Sequence, residues 1–119
     1  MYKVEKTAET LFEGVNNMTD GAKEDYIKWS TMGGKELSGY CKEQVDAWDD
    51  KIKVKAGQKY IKIVRDNSVF AFVNINNPKF KKGDIFKPAG YNKPALNQAR
   101  GNVLEGNYVI QWTGPLYLK

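Results

Sequence analysis

Lys51-Ile52-Lys53-Val54-Lys55-Ala56-Gly57-Gln58-Lys59-Tyr60-Ile61-Lys62-Ile63-Val64-Arg65 is where this chain changes its period. Lys51 to Lys55 alternates strictly between charged and apolar residues, the pattern of a half-buried strand. Ala56-Gly57-Gln58 reads as a turn, and Lys59 to Arg65 as the next strand. Lys51, Lys53 and Lys55 would project to one side of such a sheet, since side chains alternate across it. Lys62 can join them from the neighbouring strand. The result is a basic face, which is also the usual protection of an edge strand against aggregation.

Upstream of this stretch the apolar spacing is helical. Val4, Ala8, Leu11, Phe12 and Val15 form one stripe, which predicts a helix ending at Asn16-Asn17. A short strand over Tyr2 to Glu5 is the alternative there. Thr19 or Asp20 can cap a second helix to about Thr31, with Ala22, Tyr26 and Trp29 on one face. Gly33-Gly34 breaks it. A third helix carries Leu37, Cys41, Val45 and Trp48, and stops near Trp48 because Asp49-Asp50 oppose the helix dipole at its C-terminus.

Downstream the elements are short strands. Ser68 to Ile75 is apolar on both faces, as a central strand should be. Asn76-Asn77-Pro78 breaks it, and Lys82-Gly83-Asp84 turns into a short strand over Ile85 to Lys87. Pro88 to Asn97 reads as loop. Val103-Leu104 and Tyr108 to Trp112 bracket Glu105-Gly106-Asn107, a hairpin signal. Leu116 to Leu118 is a candidate edge segment. The expected fold is α+β: N-terminal helices on a small antiparallel sheet, strongly twisted or barrel-like. A single domain over 1–119 follows, helical in 1–50 and β in 51–119. Its expected core holds Leu37, Val45, Trp48, Ile61, Ile63, Val69, Ala71 and Val73.

Composition narrows the chemistry. The 119 residues include no histidine and one cysteine, Cys41. That removes the commonest general base and metal ligand, and excludes an internal disulfide. Cys41 lies on an apolar stripe and reads as a core residue. No phosphate-binding glycine fingerprint is present. Asp49-Asp50-Lys51 superficially has the spacing of an acidic nuclease site but lacks a converging carboxylate. The expectation is a protein without enzymatic activity, cofactor or metal. The N-terminal residues lack a signal peptide's apolar core, and Val69 to Val73 is too short to cross a bilayer, so a cytoplasmic protein with no membrane partner is expected.

The net charge of +5 is unevenly placed. Residues 1–50 carry six lysines against eleven acidic residues, and residues 51–100 carry twelve basic residues against Asp66 and Asp84. A block this basic attracts phosphate or an acidic protein, unless the two halves neutralise each other in the fold.

The stretch from Phe80 to Asn102 combines cations, amides and Tyr91 in a long connection, and such connections are usually functional or disordered. Tyr91, Lys93, Asn97 and Arg100 are its candidate contact residues, with Trp112 expected beside or beneath them. Three further features accompany them: the Lys82-Gly83-Asp84 turn, Ala99-Arg100-Gly101-Asn102 and Trp112-Thr113-Gly114-Pro115. Over about 58–119 these pieces resemble a C-terminal module of small, uncharacterised accessory proteins of tailed bacteriophages. The resemblance implies a phage origin and a small non-enzymatic role in the infected cell, and carries no catalytic residue. The favoured expectation is a phage protein that engages a host protein, in host takeover or anti-defence, in the bacterial cytoplasm. The alternative is a nucleic-acid-binding module using the face of Lys51, Lys53, Lys55 and Lys62 with the 79–100 loop.

Overall fold

The computed structural model describes residues 1–32 and 34–115. It is an α+β fold with antiparallel sheets and no closed barrel. Strand β1 (Tyr2–Val4) leads into helix α1 (Leu11–Ser30), followed by α2 (Gly39–Asp46) and the single turn α3 (Trp48–Lys51). Then come β2 (Ile52–Ala56), β3 (Tyr60–Arg65), β4 (Ser68–Asn74), β5 (Ile85–Phe86), β6 (Pro88–Gly90), β7 (Lys93–Pro94), β8 (Tyr108–Gln111) and β9 (Gly114–Pro115). They form three sheets of order β2-β3-β4-β5, β1-β8-β9 and β6-β7, where one small sheet, strongly twisted or barrel-like, was expected. Among the described residues no helix is long and apolar enough to cross a membrane.

Two expected helices are one. The Asn16-Asn17 pair does not break α1, because Val15, Met18, Ala22 and Tyr26 keep one buried stripe running past it. Burial along a continuous face outweighs the weak helix propensity of two asparagines. The helix starts at Thr10, whose hydroxyl accepts the Glu13 N–H at 3.1 Å, and not at Val4. Val4 instead sits in β1, the alternative strand, while Phe12 points to solvent. Gly14 and Gly21 let other elements approach closely. A Cβ on Gly14 would lie 2.7 Å from the Val103 carbonyl oxygen, and one on Gly21 would lie 2.8 Å from Val4.

The Asp49-Asp50 pair does not end the helical part at Trp48. Both residues lie inside α3, where carboxylates near a helix start are tolerated, and the strand begins at Ile52. Lys51 is therefore helical. The indole Nε1 of Trp48 donates to the Thr19 carbonyl at 3.2 Å and ties α3 to α1.

The core lies between α1, the β1-β8-β9 sheet and one face of β2–β5. Val45, Trp48, Ile61, Ile63, Ala71 and Val73 are buried in it; Leu37 and Cys41 are half-buried against it, and Val69 is half-buried. β4 is central as expected, flanked by β3 and β5. Its other face buries Phe72, which pairs with the buried Phe86 of β5.

The hairpin expected around Glu105-Gly106-Asn107 does not form. Val103-Leu104 is a turn, and Tyr108–Gln111 pairs with β1, Val4 facing Tyr108. Gly106, at φ +71°, is the reason for this route. A Cβ there would lie 2.7 Å from the Glu5 carbonyl oxygen, so the chain passes directly against the segment after β1. The edge segment expected over Leu116 to Leu118 lies outside the described residues, as does Gly33 of the expected Gly33-Gly34 break.

Candidate functional site

The two basic strands meet in a register that sets like charges opposite each other. Lys55 of β2 pairs directly with Lys62 of β3, and Lys53 with Val64. Like charges opposite one another in an antiparallel pair are destabilising. Lys53 and Lys55 are exposed, and Lys59 stands at the tip of the same hairpin, where the Gly57 N–H donates to the Tyr60 carbonyl at 2.8 Å. Lys51, expected on this face, is not part of it. Its ammonium donates to Gln44 at 2.9 Å and lies 3.9 Å from Asp66, because α3 carries it away from the strand.

The expected loop is partly a hairpin. β6 and β7 pair with Gly90 facing Lys93, so Tyr91 and Asn92 form the turn. That turn reaches the basic face. Lys62 Nζ donates to Asn92 Oδ1 at 2.7 Å and sits 4.0 Å from the centre of the Tyr91 ring, a cation–π contact. Two features read separately in the sequence, the lysine strand and the tyrosine loop, thus join at Lys62. Between them lies a depression of about 260 Å³ lined by Lys55, Lys59, Tyr60, Lys62, Phe72 and Asn92. Its aromatic side is fixed from below: the Tyr60 ring meets Phe72 at 6.3 Å and Phe86 at 6.5 Å, edge to face, and its hydroxyl accepts from Asn77 at 2.8 Å.

Charge separation survives folding. The six ion pairs among the described residues are Met1–Asp25, Lys3–Glu5, Lys23–Asp49, Lys42–Asp46, Lys51–Asp66 and Lys81–Glu105. None joins the acidic first fifty residues to the basic fifty that follow. Mutual neutralisation through ion pairs is therefore not how this fold uses its asymmetry. Lys53, Lys55, Lys59 and Lys62 take part in none of these pairs.

The remaining loop candidates are spread out. Lys93 is exposed in β7. Asn97 is exposed and accepts the Gln98 N–H at 2.9 Å. Arg100 is half-buried and its Nε donates to the Gln98 carbonyl at 3.2 Å. Its backbone lies against β5, the Arg100 N–H donating to Ile85 at 2.8 Å. Lys87 is close enough for the Arg100 charge to assist burial in lowering its pKa. Buried amides hold the connection in place. Asn102 donates to Asp84 at 2.9 Å and accepts from Leu104 and Glu105, while Asn74 donates to the carbonyls of Asn77, Phe80 and Lys81. The Lys82-Gly83-Asp84 turn and the Ala99-to-Asn102 segment are thus one bonded unit.

Trp112 belongs to another region. It packs against Tyr26 at 5.1 Å and Trp29 at 5.3 Å, and its backbone N–H donates to the buried Asp25 carboxylate at 2.9 Å. The guanidinium of Arg65 lies 4.5 Å from the Trp48 ring and 5.6 Å from Trp112, and donates to the Trp112 carbonyl at 3.3 Å. Burial lowers the Arg65 pKa from its usual range. Burial also pushes the Tyr26 hydroxyl up, a hydrogen bond with Cys41 adding to it. Beside this cluster a cleft of about 680 Å³ is lined by Trp29, Met32, Trp112, Lys28 and Gln111 among others. Trp112, expected beside or beneath the loop residues, is instead set by the turn after β8 at the C-terminal end of α1. Asn92, Lys59 and Tyr60 were missing from the expected site. Their signal lay in the Gly90-Tyr91-Asn92-Lys93 turn and in the short link between β2 and β3.

A protein-family model described as a family of unknown function, DUF7717, matches residues 1–118. No curated protein and no solved structure matches the chain.

Proposed function

The chain belongs to DUF7717, a family of unknown function, and from its own surface we propose that it is a non-enzymatic binding protein that holds nucleic acid on the β2–β3 face. The observation that carries this reading is the Lys55–Lys62 pair: two cations face each other in register, flanked by Lys53 and Lys59, with no ion-paired carboxylate among the described residues. A face that keeps mutual repulsion is suited to a ligand that supplies the missing negative charge. Phosphates do so while releasing counterions, which gives steep salt dependence. The test is fluorescence anisotropy with a labelled oligonucleotide over a salt series. The Lys55→Gln/Lys62→Gln double variant should lower the salt slope by about 1 to 2 and weaken binding at every salt concentration. An unchanged slope would refute the reading.

A second reading is favoured by the cleft at Trp29, Met32 and Trp112. There the expected phage role would apply, a protein partner from the host being held by aromatic anchors. Such binding would respond to Trp29→Ala and far less to salt.

A further inference from the structure

The proposed face has a feature that a bare phosphate clamp does not need. Tyr91 is 52% exposed at a hairpin turn, its ring contacted by the Lys62 ammonium, which itself donates to the Asn92 amide oxygen. The depression of about 260 Å³ reached through Lys62 and Asn92 has Tyr60 and Phe72 in its lining and three lysines around it. Flat apolar surface interleaved with cations is what unstacked bases and their phosphates require together. A duplex keeps its bases paired and stacked, and offers this surface only its backbone and grooves.

We infer, building on the nucleic-acid reading above, that the ligand is single-stranded: one base stacks on Tyr91, a neighbouring base enters the depression against Tyr60 and Phe72, and Lys55, Lys59 and Lys62 take the phosphates. Lys62 exchanges Asn92 for a phosphate oxygen. The freed Asn92 amide, both donor and acceptor, then faces a base edge. Stacking accepts any base, so sequence preference comes from Asn92 alone and is modest.

The experiment compares a labelled 12-mer DNA strand, a 12-mer RNA strand, a 12-base-pair duplex and inorganic polyphosphate, each by anisotropy at one salt concentration. One or both single strands should bind at least about tenfold more tightly than the duplex. Tyr91→Ala should weaken single-strand binding by about 5- to 100-fold, with Tyr91→Phe retaining it and polyphosphate binding unchanged. Circular dichroism confirms the fold of each variant, and Tyr91 lies on an exposed turn. Equal binding of duplex and single strand, or an inert Tyr91→Ala, overturns this inference while leaving the nucleic-acid reading intact. Absence of binding to all three nucleic acids overturns both. The two single strands separate DNA from RNA as the source.

Discussion

Strand β3 carries two cations three residues apart, each on an aromatic ring, and they live in opposite circumstances. Arg65 lies against Trp48 and Trp112, half-buried, donating to a backbone carbonyl, beside a region where the Asp25 carboxylate is also fully engaged. Lys62 lies over an exposed tyrosine, bonded to one amide, opposite another lysine. The same kind of contact is structural in one place and unfinished in the other. Around Arg65 the partners are Trp48 of α3 and Trp112 just after β8, which itself packs on Tyr26 and Trp29 of α1. Around Lys62 the local balance is positive, and no packing argument requires it. A cation–π contact alone does not separate the two; what differs is that Lys62 faces a second lysine, whereas Arg65 is set against two indoles and bonded to a backbone carbonyl.

The sharpest way to break this comparison is to disrupt the balanced end. Trp48→Ala removes a buried indole, its bond to Thr19 and one face of the Arg65 contact. It should cost about 3–5 kcal/mol in urea denaturation, while the surviving folded protein binds oligonucleotide as before. Loss of binding at full folding would place function at the wrong end.

Alkaline pH offers a second way. Burial raises the pKa of Tyr26 and, more strongly, of Tyr108, whose hydroxyl has no partner among the described residues. In the unfolded chain these phenols ionise near 10.0, while in the fold they stay neutral. The stability they contribute is present below pH 10 and is lost as pH rises beyond it. Tyr108→Phe should shift alkaline unfolding to higher pH without lowering the melting temperature at pH 7. Substitutions of the lysine face should leave that alkaline limb where it is.

The smallest effect is the most telling. Lys55→Gln should raise stability slightly, by about 0.2–0.5 kcal/mol, because it removes one of two facing like charges. It should nonetheless weaken oligonucleotide binding. A residue whose loss stabilises the fold and harms binding is one kept for binding; a drop in both would assign Lys55 to the scaffold.

The sequence made the α+β division legible, because the period change at Lys51 reflects burial of one strand face and needs only local pattern. It also placed β4 at the centre, since apolar residues on both faces require cover on both sides. The helix boundaries were less legible. Asn16-Asn17 is a local stop signal, and it lost to a buried stripe that only the packed sheet makes valuable. The site was half legible. Lys53, Lys55, Lys62 and Tyr91 carry their character in residue type and alternation. The meeting of Lys62 with Tyr91 and Asn92 depends on how the β6–β7 turn folds back, which no periodicity encodes. Trp112 lies against Tyr26 and Trp29 because β8 pairs with β1 beside α1, a long-range placement that residue type does not encode.

Pairing between Tyr2–Val4 and Tyr108–Ile110 sets an order of events during synthesis. Helix α1 and the β2–β4 strands emerge early and have partners close in sequence. The first strand emerges before them all and waits for about 100 residues, roughly 5–20 s at bacterial and eukaryotic elongation rates. Until β8 arrives, Val4 has no strand to pair with and the face of α1 at Gly21 has no complete cover. The β1-β8-β9 sheet is therefore the last part of the molecule to close. A ribosome stalled just short of residue 108 leaves a nascent chain with its lysine hairpin made and its apolar helix face still uncovered.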